Sequence, residues 1–454
     1  MRKTLRRSNW VLFVGLAVIV GLCLFIFRIS INASQWIQHT YNGHLAGANG
    51  LANAGVIYDR KGVVLAYSQD NQRLYCDDYT TRLSTLHTVG DDSLNISSAI
   101  QSSYRSHLTG FNYIWGMGLP ESINKGNDIT LNVYADACNS AYNALNGKNG
   151  AVIVYNYKTG EVLCSVSTPT YDPMSPPEIT EENESEYDGV YVDKVFAGLY
   201  APGSTFKIVT TAAAFEYIPN IESRTFTCNG SIQVGDDKIT CMDNHGEITM
   251  KEGLAKSCNI VFAELSIELG KNKMTAMANK LGFNSRYVIN GTKTANSNFN
   301  VAKADKNQLG WAGIGQYTVE ANPMQMAIMC GAIANGGTTV TPFLTTDPLL
   351  NGFSMPIRLM EPDIAEKLDE YMRYSVTDYY GDGMFPSLNV CAKTGTAEVG
   401  NDKEPHAWIV GYAQDEDVPL AFAVIVENGG YGYSTAGPVA VSAMEACANI
   451  IRGY

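Results

Sequence analysis

The sequence predicts an α/β chain of the α+β kind: a central antiparallel sheet flanked by helices, an all-helical subdomain, a small N-terminal module and one transmembrane helix. Three observations carry this. Trp10 to Phe27 is apolar and uncharged for 18 residues. Strand-like runs fall in two separated groups, Ala151 to Val166 and Leu388 to Glu427, and most of the chain between them has helical character. At 454 residues the chain is also too long for one small core, which suggests a main domain with a smaller module beside it.

The elements follow in order. As a helix, Trp10 to Phe27 spans roughly 27 Å, close to the ~30 Å hydrocarbon core. Arg2, Lys3, Arg6 and Arg7 precede it, so the positive-inside rule predicts a cytoplasmic N-terminus and export of the remainder. Ile31-Asn32-Ala33 puts a bulky residue where a cleavable signal needs a small one, so the span reads as a retained anchor. The regions are then a tail over 1–9, an anchor over 10–28, a pedestal over 35–148 and a main domain over 149–454. In the pedestal, Gly55 to Ala66 alternates around Lys61-Gly62 as a hairpin, and Val133 to Leu145 reads as a helix. Ala151 to Tyr157 and Glu161 to Val166 form a strand pair, Glu178 to Asp188 an acidic solvated loop, and Gly437 to Ile451 the last helix.

Charge narrows the partners. Lys and Arg total 32 against 45 Asp and Glu, a net charge of −13, and five of the basic residues lie at or before Arg28. The exported part is therefore acidic, with no basic stripe for nucleic acid.

Three short motifs stand in one order: Ser204-Thr-Phe-Lys207, Ser257-Cys-Asn259 and Lys393-Thr-Gly395. S-x-x-K, S-x-N and K-T-G together supply a nucleophile, a proton carrier and a carboxylate clamp. Each has decoys. Ser122-Ile-Asn-Lys125 lies in a polar, turn-rich stretch, and Lys158-Thr-Gly160 reads as the turn between two strands. S-x-N also recurs at Ser30, Ser93 and Ser387. Context separates them. Pro202-Gly203 breaks the chain before the apolar run Thr205 to Phe215, so Ser204 is predicted to open a helix with Lys207 one turn on. Ser257-Cys-Asn259 reads as a helix boundary. Lys393 to Glu398 continues the strand Leu388 to Ala392, the first of three antiparallel strands with Ala407 to Ala413 and Ala421 to Glu427. On an edge strand Lys393 and Thr394 can meet a carboxylate, and Gly395 allows close approach of a substrate backbone.

The chain resembles the class B penicillin-binding proteins, the monofunctional D,D-transpeptidases of bacterial wall synthesis. Tyr200 to Lys207, His245-Gly246, Gly313 to Gln316, Asn322 to Gln325, Lys393 to Glu398 and the run Gly150 to Pro173 carry the resemblance, which covers nearly the whole chain. It implies the penicillin-recognising serine transpeptidase fold and no cofactor. It further implies that Ser204 attacks the D-Ala-D-Ala carbonyl of a peptidoglycan stem peptide and is acylated by β-lactams. The backbone N–H groups of Ser204 and Thr396 form the oxyanion hole, Lys207 is the base, Ser257 relays the proton, and Asn259 holds the substrate amide. Thr394, Gly395 and Thr396 line the substrate. To act as a base near pH 7, Lys207 must fall well below the usual ~10.4, and burial beside Lys393 pushes that way. The implied partner is a SEDS-type glycan polymerase.

A D,D-carboxypeptidase, a class D β-lactamase and a catalytically silent scaffold share these motifs. The anchor, the pedestal and the intact residues favour the transpeptidase. Among the ten cysteines, Cys228 and Cys241 flank a hairpin-like segment and form a candidate disulfide. With His245 they fall one ligand short of a four-coordinate zinc site, so the reading is a disulfide or two free thiols, without metal.

Overall fold

The computed structural model describes residues 2–37, 51–110, 126–351, 356–400 and 403–453. Helix α1 (Arg2–Ile37) contains Arg7–Arg28, a stretch long and apolar enough to cross a membrane. Its large apolar side chains from Trp10 to Phe27 are exposed, as a lipid-facing helix requires.

The N-terminal module holds a four-stranded sheet of β1 (Ile57–Tyr58), β2 (Val64–Gln69), β3 (Gln72–Tyr75) and β4 (Ile129–Thr130), in the order β3-β2-β1-β4. The β1–β2 turn forms because the buried Asp59 carboxylate accepts from the N–H groups of Lys61 and Val63, both at 2.8 Å, while Gly62 takes φ +84°. Its other oxygen accepts from Ala135 at 3.1 Å and fixes the start of α3 (Ala135–Leu145). Helix α2 (Tyr79–Val89), capped by Asp78, packs on α3. The parallel pairing of β1 with β4 had no counterpart in the sequence reading.

Next come β5 (Gly150–Asn156) and β6 (Val162–Thr168), then α4 (Lys207–Tyr217). The stretch that follows is mostly helical but begins with short strands. β7 (Thr225–Cys228) pairs with β10 (Gly246–Thr249), and β8 (Ser231–Val234) pairs with β9 (Asp237–Thr240). Its helices are α5 (Met250–Ala255), α6 (Asn259–Lys280), α7 (Lys306–Gly313), α8 (Pro323–Ala334) and α9 (Pro362–Ser375).

Strands β11 (Val390–Ala397), β12 (His406–Ala413) and β13 (Leu420–Val426) complete a five-stranded antiparallel sheet in the order β11-β12-β13-β5-β6. β13 is buried at every position, so both faces of the sheet are covered. Helix α8 packs on β5, β12 and β13, and α10 (Gly437–Arg452) packs on β5, β13 and α3. One apolar cluster runs from Leu51 through the sheet to Ala448, so the N-terminal module shares its core with the sheet. β11 lies at one edge, as the K-T-G reading required.

Candidate active site

Ser204 lies in a single 3-10 turn, Gly203–Phe206, and the α-helix begins three residues later at Lys207. This corrects the expectation that Ser204 opens the helix. The difference favours the pairing, because with three residues per turn side chains at i and i+3 eclipse. Lys207 Nζ stands 3.0 Å from Ser204 Oγ.

Neighbouring segments clamp that turn. Gly203 adopts φ +51°, and its N–H donates to Gly315 O at 3.0 Å. A Cβ on Gly203 would lie 2.6 Å from Thr396 O, and one on Gly395 would lie 2.8 Å from Pro202 O. Within the protein, Gly395 permits the close approach of the segment that leads into the Ser204 turn. That approach brings the backbones of Ser204 and Thr396 side by side. Trp408 Nε1 donates to Ala201 O at 3.0 Å, and Asn322 Nδ2 donates to the carbonyls of Val195, Phe196 and Gly198. The Asn-Pro-Met-Gln segment thus holds the chain leading into the turn.

Ser257 closes helix α5. Ser257 N–H donates to Leu254 O at 3.2 Å and Cys258 N–H to Gly253 O at 2.8 Å, the paired bonds of a Schellman motif. The motif puts its C′ residue in the left-handed region, and Ser257 has φ +56°. Glycine is the usual occupant. A serine there carries roughly 1–3 kcal/mol of backbone strain, and it brings a hydroxyl that glycine lacks.

The first two motifs converge on Lys207, and the third reaches Ser257. Lys207 Nζ lies 2.5 Å from Ser257 O, 3.1 Å from Ser257 Oγ and 2.8 Å from Asn259 Oδ1, besides Ser204. An ammonium has three protons for these four oxygens. A neutral amine can instead donate to Ser257 O and Asn259 Oδ1 and accept the Ser204 proton on its lone pair. Burial, then the nearby Lys393 ammonium, pushes Lys207 well below the usual lysine range.

Lys393 Nζ lies 3.1 Å from Ser257 Oγ, 2.8 Å from Thr394 O and 3.4 Å from Tyr380 Oη, and burial lowers its pKa to about 7. Tyr380 Oη also accepts the N–H of Thr394 at 3.2 Å and lies 3.1 Å from its hydroxyl. No sequence signal marked Tyr380. Lys393 is fully buried whereas Thr394 and Thr396 are partly exposed, so the hydroxyls are the groups open to a ligand carboxylate. Asn259 Nδ2 donates to Thr240 O at 2.9 Å, which leaves its side chain engaged at both ends.

The decoys stay apart. Lys158 is exposed in the β5–β6 turn, Asn95 bonds Asp91, Ser387 bonds Glu445 and Asn389 bonds Asp415. Ser30 lies within α1. Ser122 to Lys125 falls outside the described residues.

Cys228 and Cys241 do come together across the β8–β9 hairpin, but both are free thiols rather than a disulfide. His245 joins them, with Nδ1 3.5 Å from Cys228 Sγ and 3.6 Å from Cys241 Sγ. The fourth donor that the sequence reading lacked is Cys258, whose Sγ is 3.9 Å from Cys241 Sγ. It was hidden as the middle residue of S-x-N, where it passed for a spacer. The missing fourth ligand, on which the no-metal reading rested, is thus supplied by the fold, and all four donor atoms lie within 4.8 Å of one another. The hydrogen bond shared with Cys258, followed by the N–H of Asn259 against the opposing effect of burial, pulls the Cys241 thiol below its ordinary range, and that bond raises Cys258.

A buried lysine between two serine hydroxyls, roofed by the edge strand of an antiparallel sheet, defines a serine acyltransferase of the penicillin-recognising kind. Residues 150–445 match the model of the penicillin-binding protein transpeptidase domain. The chain belongs to that family and, within it, to the class B penicillin-binding proteins. It is 29% identical over 346 residues to the peptidoglycan D,D-transpeptidase PbpA of Mycolicibacterium smegmatis, covering 70% of each chain. It is 31% identical over 315 residues to PbpA of Mycobacterium tuberculosis, covering 63% of this chain and 64% of that one. Aligned lengths thus span about two thirds of these relatives. The fold superposes on penicillin-binding protein A of M. tuberculosis, solved as a ceftriaxone acyl-enzyme, with TM-score 0.76 at 26% identity, covering 88% of this chain and 99% of that one. An apolar N-terminal helix such as α1 fits a membrane anchor in this class.

Proposed function

We propose that this chain is a membrane-anchored peptidoglycan D,D-transpeptidase working through a Ser204 acyl-enzyme. The observation that carries the reading is the 3.0 Å approach of buried Lys207 to Ser204, completed by Ser257 from the second motif and Lys393 from the third.

Ser204 Oγ attacks the carbonyl between the two terminal D-alanines of a stem peptide while neutral Lys207 takes its proton. The developing oxyanion sits between the N–H groups of Ser204 and Thr396, where loss of one donor typically costs ~3–4 kcal/mol. Ser257 Oγ, touching both lysines, passes a proton to the leaving amine. Terminal D-alanine departs and an ester remains on Ser204. An amine from a neighbouring stem then attacks the ester, forms the cross-link and returns Ser204 with its proton. Thr394 and Thr396 hold the substrate carboxylate, with the charge of Lys393 beneath them. Asn259 acts chiefly by holding Lys207 through Oδ1. β-Lactams enter as mimics of the D-Ala-D-Ala end and stop at the ester.

A fluorescent penicillin should label the purified protein once, at Ser204, and Ser204→Ala should abolish the label at an unchanged melting temperature. Labelling at Ser122, or none in folded protein, overturns the assignment.

In the proposed topology residues 1–9 face the cytoplasm, 10–28 cross the membrane, 35–148 form the pedestal, and 149–454 carry out the transfer outside. The basic residues before α1's apolar stretch support this orientation. The glycan strand then comes from a separate SEDS-type polymerase meeting α1 and the pedestal. Exchanging α1 for an unrelated span should retain penicillin labelling and lose co-purification with the polymerase. If co-purification survives the exchange, α1 is not the contact.

A further inference from the structure

The cluster of Cys228, Cys241, His245 and Cys258 has no part in acyl transfer, and its geometry is specific. Four donors around one zinc, at Zn–S about 2.3 Å and Zn–N about 2.0–2.1 Å in a tetrahedron, stand about 3.8 Å apart for S···S and about 3.5–3.6 Å apart for S···N. Of the six separations, three are 3.9 Å for Cys241 to Cys258, 3.5 Å for Cys228 to His245 and 3.6 Å for Cys241 to His245, and the other three lie within 4.8 Å. A disulfide would need sulfurs at about 2.05 Å. The donors come from three places in the fold, the end of β7, the β9–β10 connection and the N-cap of α6. Cys228 ends β7, Cys241 follows β9, His245 precedes β10, and Cys258 is the N-cap of α6. No single turn accounts for their meeting.

We infer that these four residues bind one zinc ion, and that the ion holds the Ser257–Asn259 corner in the conformation the active site uses. Three sulfurs and one imidazole nitrogen in a closed tetrahedron are a structural zinc set, with no position left for water or substrate. Cys228 and Cys258 are fully buried, and each thiol that becomes a ligand releases one proton. Cys228 Sγ now faces Asp243 O at 3.5 Å, a weak thiol contact that metal binding replaces. Around the ligands, Asn259 N–H donates to Cys241 Sγ at 3.3 Å, the outer-shell bond that orients a thiolate.

The site's position gives the ion its role. Cys258 stands between Ser257, held at φ +56°, and Asn259, whose Oδ1 holds Lys207. Schellman bonds alone leave a strained serine free to relax when α5 or α6 frays. Fixing the next residue to an ion shared with β7 and β9 removes that freedom. The ion touches neither substrate nor reacting atoms, so Cys258 is a positioning residue.

This inference rests on the proposed reaction only for its second half, and the experiment separates the two. The full-length chain, purified in detergent without chelator, should contain close to one zinc per chain by elemental mass spectrometry. Cobalt substitution should give the visible bands of a tetrahedral thiolate site. Cys228→Ser and His245→Ala should each lower occupancy severalfold. Because those variants can unfold, the wild-type chain is also stripped with a chelator and reloaded. Stripping should slow penicillin acylation by about 10-fold or more, on the scale of losses at metal-orienting groups, and added zinc, not magnesium, should restore it. Metal-free chain that refuses zinc, a Cys241–Cys258 or Cys228–Cys241 disulfide in peptide maps, or iron in place of zinc each overturns the site. Stoichiometric zinc whose removal leaves acylation unchanged overturns its positioning role. Zinc-loaded chain that no penicillin acylates leaves the metal site standing and sinks the proposed function.

Discussion

In the turn between β5 and β6, the lysine of Lys158-Thr-Gly160 extends into solvent over the Tyr157 ring and donates to Asn335 Oδ1 at 2.9 Å. On β11, the lysine of Lys393-Thr-Gly395 is wholly enclosed, its Nζ shared among Ser257, Thr394 O and Tyr380. The tripeptide is the same and the chemistry is not. Lys158 stands exposed, whereas Lys393 is enclosed and burial brings it to about 7. Enclosure, more than the order of three residues, makes one copy a functional group and the other a turn.

The comparison breaks most sharply at the enclosed end. Lys207→Ala removes the proposed general base and should cut the penicillin acylation rate by about 10²–10⁴-fold, read by stopped-flow labelling. A normal rate would mean that another group takes the Ser204 proton.

Protonation gives the next effect. Lys207 must be neutral, so acylation should fall as pH drops through its depressed value. In the proposed mechanism Lys393 assists the substrate carboxylate as a cation, so kcat/KM should fall as pH rises through about 7 in the free enzyme. The result is a bell whose two limbs belong to the coupled pair, and a flat alkaline limb would remove Lys393 from carboxylate binding. Stability should run the other way. Between about 7 and the ~10.4 of an unfolded lysine, the unfolded chain keeps a proton that folded Lys393 has lost, so this group's contribution to stability rises with pH. Denaturant midpoints at pH 7 and 9 read this directly.

Smallest is the exposed copy. Lys158→Ala should leave acylation within about twofold and stability within about 0.5 kcal/mol, the usual range for surface substitutions. A larger loss of acylation would refute the claim that enclosure separates the two tripeptides.

Much of this site was legible in the sequence because its chemistry is tied to short local patterns. The strand ending in Lys393-Thr-Gly395, the helix after Ser204 and the break at Ser257 each follow from periodicity and turn residues. What escaped depends on distant partners. The 3-10 turn at Ser204 is imposed by Gly315 and Thr396, and Tyr380 matters only because β11 passes its hydroxyl. Cys258 was invisible as a ligand because its companions lie on two other hairpin segments, and no spacing rule links the N-cap of α6 to the end of β7. The parallel β1–β4 pair escaped for the same reason, since Ile129 meets Ile57 only in the folded chain.

The sheet order has a consequence for when the enzyme becomes able to react. β5 pairs along its length with β13, Gly150 opposite Val426, and only through β13 and β12 does β11 join the sheet. As the chain emerges from its N-terminus, the Ser204 segment is made well before the strand that roofs it, and the last hairpin must arrive before any K-T-G edge exists. Such long-range pairing folds slowly, because distant segments must find each other before their contacts reward it. A half-emerged chain thus carries its nucleophile with neither oxyanion partner nor second lysine. On the proposed mechanism it cannot be acylated by peptidoglycan or antibiotic until β11, β12 and β13 are in place.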